Sequence, residues 1–177
     1  PQKNFVFYDE TVDPRLKFTK IGYSRLMEGN YGIGKQIHTI VKRIILTMED
    51  GSTKEIQSEA DKDGNGLIDL TKYGTVVGWR MEMKDDFVLQ SGQGIYLNSY
   101  TSFKDPEKTR YDENDATKNV YKNTGRVTYK TQSNVAKDQS ADWSFKLIPM
   151  KESFEIAKTT DYNDVRYTDG QNIRFGL

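Results

Sequence analysis

The sequence contains no cysteine among its 177 residues. Disulfide bonds, thiolate zinc sites and cysteine nucleophiles are therefore excluded for this stretch of chain. A chain of this length can bury a core large enough to fold without such cross-links. The lack of cysteine does not separate a cytosolic protein from a bacterial surface protein, because both groups are often poor in cysteine.

Histidine is almost as scarce, since His38 is the only one. A Ser-His-Asp triad or a histidine zinc site would have to use His38, which lies in the apolar stretch IHTIVKRIIL. We expect His38 to be a half-buried strand residue. With no cysteine and one such histidine, the sequence argues against an enzyme and favours a structural or binding protein.

The sequence also lacks a net charge and a long apolar run. Lys plus Arg number 26 and Asp plus Glu number 26, so the formal net charge is zero. This balance offers no basic surface to nucleic acid or to an anionic membrane. No apolar run approaches the roughly 20 residues that cross a bilayer, and the opening Pro-Gln-Lys-Asn lacks the apolar character of a signal peptide. We expect a soluble piece of a longer protein that binds no nucleic acid and inserts into no membrane.

Short segments with a strand pattern are abundant and are bounded by Gly, Asn or Asp. They read KFTKIGY, TIVKRIILTM, STKEIQS, VVGWRMEM, FVLQ, GIYLNSYTSF, GRVTYKTQ, DWSFKLIPM, SFEIAK and NIRFGL. Residues 37–48 also fit a helical stripe, but their β-branched side chains and the following turn MEDGST favour a strand. The polar stretch 104–119 is predicted to be a long surface loop. This pattern predicts an all-β fold, a sandwich of antiparallel strands.

Several phrases of the sequence resemble a known family. They are FVFYDETVDPRLKF at 5–18, FVLQSGQGIYLNSYTSF at 87–103 followed by VYKNTGRVTYKT, and the stretch 153–177 that begins SFEIAK. Together they resemble the immunoglobulin-like modules of Gram-positive cell-wall adhesins of the collagen- and fibrinogen-binding type, with Gly125 where alanine is usual. The resemblance implies an Ig-like β-sandwich at the cell surface, anchored to the wall through the parent protein. The implied partners are a host extracellular protein or glycan, or neighbouring modules.

The resemblance also divides the chain. Residues 1–150 are assigned to one Ig-like module of a stalk or of a ligand-binding head. In the family, the strand with a characteristic lysine comes first, the strand with an aspartate second and the strand with an asparagine last. In this chain the matching residues occur in the order Asp9, Asn123, Lys158. Residues 151–177 therefore either complete the sandwich in a permuted register or open the next module.

Asp9 ends an apolar run, where an ionised carboxylate is costly unless it is paired or protonated. The resemblance implies that Asp9, Asn123 and Lys158 form an intramolecular isopeptide bond. A buried lysine loses its proton readily and becomes a nucleophile, and a buried aspartic acid can polarise the asparagine carboxamide. Lys3 and Lys17 are alternative amines. The plainer alternative is that Asp9 and Asn123 cap turns and Lys158 is solvated.

The stretch DKDGNGLIDL, residues 61–70, contains half of a calcium-loop pattern. Asp61, Asp63, Asn65 and Asp69 occupy positions 1, 3, 5 and 9, and Gly66 stands at position 6. Position 12 is a lysine instead of the usual glutamate, so the pattern predicts at most a weak structural Ca²⁺ site. The alternative is a Gly-Asn-Gly turn that leads into a strand.

Aromatic residues are plentiful and support an alternative function. They include Tyr96, Tyr100, Tyr111, Tyr121, Tyr129, Tyr162, Tyr167, Trp79 and Trp143. Several of these presented on one surface would suit sugar rings, as in a carbohydrate-binding module of a secreted glycosidase. Their placement in strands also fits the filling of a sandwich core.

Overall fold

The computed structural model describes residues 1–10, 13–28 and 32–149, without the side chains of residues 32 and 33. The chain separates into a compact unit, Pro1–Leu147, and a second unit, Ile148–Leu177. The strands predicted within 153–177, and with them the two alternatives for that segment, lie outside the described residues.

The described residues form thirteen strands and three short 3₁₀ turns. The strands are β1 Gln2–Asp9, β2 Leu16–Tyr23, β3 Arg25–Glu28, β4 Gly32–Gln36, β5 Val41–Met48, β6 Thr53–Ile56, β7 Gly66–Asp69, β8 Val76–Met83, β9 Val88–Leu89, β10 Gln93–Gly94, β11 Leu97–Phe103, β12 Val120–Thr131 and β13 Ala136–Lys146. The 3₁₀ turns are Ile37–Thr39, Thr71–Tyr73 and Ala116–Asn119. None of the helical segments in the described ranges is long and apolar enough to span a membrane.

The strands pair antiparallel throughout and form two groups. One group runs β6-β5-β8-β1-β12-β13, with β9 beside the start of β1, and the other runs β7-β2-β11. A single residue pair, Phe18 with Val76, joins β2 to β8 and so connects the groups. The groups belong to one ten-stranded sheet, and they face each other across a shared core cluster to which both contribute side chains. The all-β sandwich of antiparallel strands is therefore confirmed, and β10-β3-β4 form a small separate sheet.

The core lies between the two groups of strands. Apolar side chains alternate along the central strands, so one face of each strand is buried. Ile44 of β5 lies opposite Met81 of β8, and both are fully buried. Other fully buried side chains include Phe18, Ile21, Leu26, Ile37, Leu46, Ile68, Leu70 and Val76.

The segment 37–48 is a strand preceded by a short turn. The predicted strand is confirmed over Val41–Met48, where the alternation has the period of a strand and not of a helix. The placement of His38 in a strand is wrong, because it belongs to the 3₁₀ turn Ile37–Thr39, although it is half-buried as expected. The turn buries Ile37 and half-covers His38 before the strand begins.

The turn MEDGST forms the hairpin predicted between β5 and β6. Thr47 and Thr53 are opposite each other in the register. Asp50 accepts hydrogen bonds from the backbone N–H and the hydroxyl of Ser52. Gly51 has φ +81°, a left-handed conformation that costs glycine little. Local turn chemistry therefore fixes the register of this hairpin.

The polar stretch 104–119 is a loop fixed by Asn119. The Asn119 side chain is buried, its Oδ1 accepts the N–H of Asp112 at 2.8 Å and its Nδ2 donates to the Asp112 carbonyl at 2.7 Å. Asp115 accepts the N–H of Thr117 and begins the 3₁₀ turn that leads into β12. The loop is thus closed on itself by side-chain to backbone bonds.

We expect Ile44→Ala to lower the free energy of unfolding by about 2–5 kcal/mol, because it leaves a cavity at a fully buried position of the central pair β5–β8. The matched control is Lys42→Ala on the same strand, which removes only the exposed ion pair with Asp85. This control should change the free energy by less than about 1 kcal/mol. Urea denaturation measures both, and equal losses would contradict this placement of the core.

Candidate functional site

Asp9 is the last residue of β1, and the sheet order places it in the interior. β1 lies between β8 and β12, and Asp9 is opposite Trp79 of β8 in the register. Only 5 % of Asp9 is exposed, which makes it one of the few buried polar residues among those described. Asp9 directly follows the apolar run that begins at Phe5, and like Phe5 it is buried.

Asn123 lies beside Asp9 on the neighbouring strand β12. The pair Tyr8 and Arg126 fixes the register of β1 against β12. Continuing that register puts Asn123 on the same face as Asp9, because alternate residues of a strand share a face. The Asn123 side chain makes a hydrogen-bonding interaction with the Asp9 carboxyl. The structure therefore brings together two of the three residues of the expected isopeptide site.

Burial raises the pKa of Asp9 above its ordinary value, and hydrogen bonding from Ser99 and from Asn123 lowers it by less. Asp9 Oδ1 and Asn123 Oδ1 are both buried without a hydrogen-bond partner among the described residues. A protonated carboxyl carries one O–H donor. Proton retention by Asp9 would supply a donor at the place where the Asn123 carbonyl oxygen lacks one.

A cleft of about 670 Å³ opens beside Asp9, with β11 on one side and β12 and β13 on the other. The apolar part of its lining includes Phe7, Trp79, Leu97 and Val127. The polar part includes Asp9 and Ser99, and the Ser99 Oγ accepts the Trp79 indole N–H at 3.1 Å. We name this space the Asp9 cleft. Its lining desolvates the carboxyl while leaving room for an additional side chain.

An aromatic cluster connects β11 to β12 and β13. Tyr121 stacks on Phe145 at 4.9 Å between ring centroids, and Phe103 of β11 meets Tyr121 edge-on at 5.1 Å. The Arg15 guanidinium lies 3.9 Å above the Tyr121 ring and donates to the carbonyls of Lys118 and Val120. These contacts join β11 to β12 and β13.

No lysine is among the described residues that line the Asp9 cleft. Lys3 is opposite Lys130 and Val88 in the register, and Lys17 is opposite Ser102. Lys158 lies outside the described residues. The described part of the chain thus supplies the acid and the carboxamide but not the amine.

Ser99 and the role of Trp79 were not identified from the sequence. Trp79 appeared there as a candidate for sugar binding, but it is 3 % exposed and belongs to the Asp9 cleft. Alternation within GIYLNSYTSF puts Leu97 and Ser99 on one face, the face that lines the cleft, where Ser99 is exposed. No local pattern could show that this face reaches Asp9 and Trp79.

The predicted calcium residues take part in local turn contacts. Asp61 Oδ1 accepts the N–H groups of Asp63 at 2.8 Å and Asn65 at 2.9 Å, and hydrogen bonds with Asn65 contribute most to lowering the Asp61 pKa. Asn65 Oδ1 accepts the Ser24 hydroxyl, and Asp69 Oδ1 accepts the Thr71 N–H. In the described ranges no three acidic, histidine or cysteine side chains are grouped to hold a metal ion. The contacts match the turn alternative, and the Ca²⁺ site stays a prediction.

The predicted aromatic residues divide into buried and exposed sets. Tyr121 is buried, Tyr129 packs against Phe5, and Tyr162 and Tyr167 lie outside the described residues. Tyr96, Tyr100, Tyr111 and Trp143 are exposed. Two of these exposed tyrosines, Tyr96 and Tyr100, share a groove.

A groove of about 580 Å³ lies on the outer face of β2, β7 and β11. Gly22 of β2 forms its floor, between Leu67 of β7 and Tyr100 of β11. Tyr96 and Asn98 also line it, and Tyr96 and Leu67 are 66 % and 59 % exposed. We name this surface the Gly22 groove. It combines exposed rings with an amide side chain on one face.

Comparison of the chain with protein-family models, with curated proteins and with solved structures finds no match.

We expect Asp9→Asn to change how the free energy of unfolding depends on pH. Both proteins in the comparison carry Lys158→Ala, so that no covalent bond can involve Lys158. The raised pKa of Asp9 means that the folded state holds the Asp9 proton more tightly than the unfolded state. This stabilisation is complete below the ordinary aspartate pKa and is lost as the pH rises through the raised value. Urea unfolding from pH 3 to pH 7 should show the Asp9→Asn variant gaining stability relative to its background.

Other carboxyls do not obscure this comparison, because both proteins carry them. Asp13, Asp112 and Asp138 have lowered pKa values and give the opposite slope in both proteins. Parallel stability curves for the two proteins would mean that Asp9 titrates like a solvated aspartate.

Proposed function

We propose that this chain is a non-catalytic structural or ligand-binding module of a Gram-positive cell-surface adhesin, located outside the cell in a stalk or a host-binding head. The observation that carries the proposal is the contact between a buried aspartic acid and an asparagine on adjacent strands of a β-sandwich. The sequence resemblance independently selects the same two residues, Asp9 and Asn123. The partners of this module would be a host extracellular protein or glycan, or neighbouring modules.

The chemistry of this pair suits a self-made amide bond. The Nζ of a neutral lysine attacks the Asn123 Cγ, and the new amide forms as ammonia leaves. Asp9 in its protonated form donates toward the Asn123 carbonyl oxygen, and the proton that the amine loses passes through Asp9 to the departing nitrogen, so that Asp9 ends protonated again. The apolar lining of the Asp9 cleft favours the neutral carboxyl of Asp9, and it would favour the neutral amine of a lysine that enters the cleft.

The position of Asn123 explains what the bond would do for the module. Asn123 belongs to β12, which pairs with β1 on one side and with the long strand β13 on the other. An amide from Asn123 to Lys158 would tie this part of the sheet covalently to the segment that carries Lys158. A covalent tie does not separate under a pulling force that breaks hydrogen bonds, and this property suits a stalk.

We expect the denatured full chain to have a mass lower than the sequence mass by one ammonia. Intact-mass spectrometry measures the deficit, and fragmentation of a protease digest should join the peptide of Asn123 to that of Lys158. Asp9→Ala, Asn123→Ala and Lys158→Ala should each restore the full mass.

The matched control is Asn98→Ala, an exposed asparagine on β11 that faces away from the Asp9 cleft. This control should keep the deficit. A wild-type mass equal to the sequence mass would contradict the amide bond.

The Gly22 groove favours a second candidate function, a carbohydrate-binding module of a secreted glycosidase. Its exposed rings, Tyr96 and Tyr100, could stack on sugar faces, and Asn98 could bond to hydroxyls. The floor at Gly22 is open because glycine has no side chain. A Cβ there would lie 3.4 Å from Tyr100 and 3.6 Å from Leu67, so alanine would fill the floor with little disturbance.

If this second function is correct, affinity electrophoresis in polysaccharide gels should show retardation of the wild-type chain. Tyr100→Ala and Gly22→Ala should reduce the retardation at least tenfold in apparent affinity. Tyr111→Ala is the matched control, because Tyr111 is an exposed tyrosine that does not line the groove. Equal migration of all variants with and without polysaccharide would exclude binding of the glycans used.

A further inference from the structure

The Gly22 groove is lined by charged side chains as well as by aromatic rings. The exposed rings of Tyr96 and Tyr100 line it, and Tyr100 borders the floor at Gly22. Arg25, at the start of β3, and Asp63, in the turn before β7, also line the groove. Rings and charges therefore border the same space.

The two elements that carry the charges are joined to each other. The Ser24 hydroxyl donates to Asn65 Oδ1 at 2.6 Å, which ties the start of β3 to the turn before β7. Arg25 Nη2 lies 3.5 Å from the Asp63 carbonyl oxygen, at the outer limit of a hydrogen bond. These contacts fix the charged part of the groove.

The Arg25 guanidinium has few partners. The long contact with the Asp63 carbonyl is the one hydrogen bond that this side chain makes to the described residues, and none of their carboxylates lies within ion-pair distance of it. An arginine presents five N–H donors in a planar fork that matches the two oxygens of a carboxylate. The fork of Arg25 is therefore available to an anionic group that enters the groove.

We infer that the Gly22 groove binds a polysaccharide of uronic acids, with Tyr96 and Tyr100 against the sugar rings and Arg25 on a carboxylate. The inference rests on the second candidate function and names the class of glycan for the same groove. It assigns to Arg25 the choice between acidic and neutral sugars.

The shape of a uronic acid suits this arrangement. Its carboxylate is attached at the edge of the pyranose ring, so both faces of the ring stay free. One face can stack on a tyrosine while the carboxylate at the edge reaches the Arg25 fork. Asp63 carries a like charge in the same groove, so its removal should strengthen the binding of an acidic glycan.

Isothermal titration calorimetry of the full chain tests the inference with three acidic polymers, polygalacturonate, alginate and hyaluronate, each compared with its own methyl ester. Esterification removes the charge and leaves the sugar ring unchanged. A salt concentration of about 0.15 M screens long-range attraction, and a chelator prevents divalent cations from bridging protein and glycan. We expect at least one polymer to bind about tenfold or more tightly than its ester.

Two variants of the groove should act in opposite directions. Arg25→Gln should lower the affinity for the acidic polymer about tenfold or more and leave the affinity for the ester unchanged, because it removes only the fork. Asp63→Asn should raise the affinity for the acidic polymer about twofold or more. Lys137→Gln is the matched control, because it removes the same charge from an exposed residue of β13 outside the groove, and it should change neither affinity. Circular dichroism checks that each variant keeps its fold.

The outcomes separate this inference from the second candidate function. Tighter binding of an acidic polymer than of its ester, lost in Arg25→Gln and kept in Lys137→Gln, supports the inference. Equal losses in these two variants would show attraction by overall charge alone and overturn it. Equal binding of polymer and ester, weakened by Tyr100→Ala, overturns the inference and leaves a module for neutral sugars in place. No binding of any of these polymers or esters also overturns the inference, and retardation in gels of neutral polysaccharides then shows whether the second candidate function stands.

Discussion

The desolvated carboxyl of Asp9 is the constraint on which the rest of the site depends. Burial of an ionised carboxylate costs several kcal/mol unless it is compensated. Here burial raises the Asp9 pKa, and the contacts with Ser99 and Asn123 offset that effect only in part. The folded chain therefore holds the Asp9 proton more tightly than the unfolded chain does. A neutral carboxyl is a hydrogen-bond donor, and the neighbouring Asn123 oxygen is an acceptor with no other partner among the described residues.

The strand order maintains this environment. β1 lies between β8 and β12, so Asp9 has Trp79 on one side and the face of Asn123 on the other. From β11 the exposed Ser99 accepts the Trp79 indole N–H and hydrogen-bonds with the Asp9 carboxyl. The stacked pair Tyr121 and Phe145, with Phe103 against it, fixes β11 to β12 and β13. The cleft thus results from the packing of two layers, one of which ends at β13 and the other at β11.

The sequence predicted the local elements well because their causes are local. Alternation along VVGWRMEM and the Asp50–Gly51 turn specify a strand and a hairpin without reference to the rest of the chain. His38 was misplaced because the apolar stretch around it continues through a 3₁₀ turn, which has no clear signature in the pattern. Ser99 was missed since its role arises only when β11 brings it within hydrogen-bond distance of Trp79 and Asp9. The choice of Asp9 and Asn123 came from the resemblance to the adhesin modules, whereas their contact came from the register of β1 against β12.

Asp9, beside Asn123, holds its proton to a higher pH than an ordinary aspartic acid does. A ¹³C NMR titration of side-chain-labelled aspartates measures this, with the Asp9 signal assigned by its loss in Asp9→Asn. The Lys158→Ala chain is the suitable sample, because the site is then free of any bond to Lys158. We expect the Asp9 carboxyl carbon to titrate at a higher pH than the signals of Asp13 and Asp138, whose pKa values are lowered. An Asp9 midpoint at or below the ordinary aspartate value would contradict it.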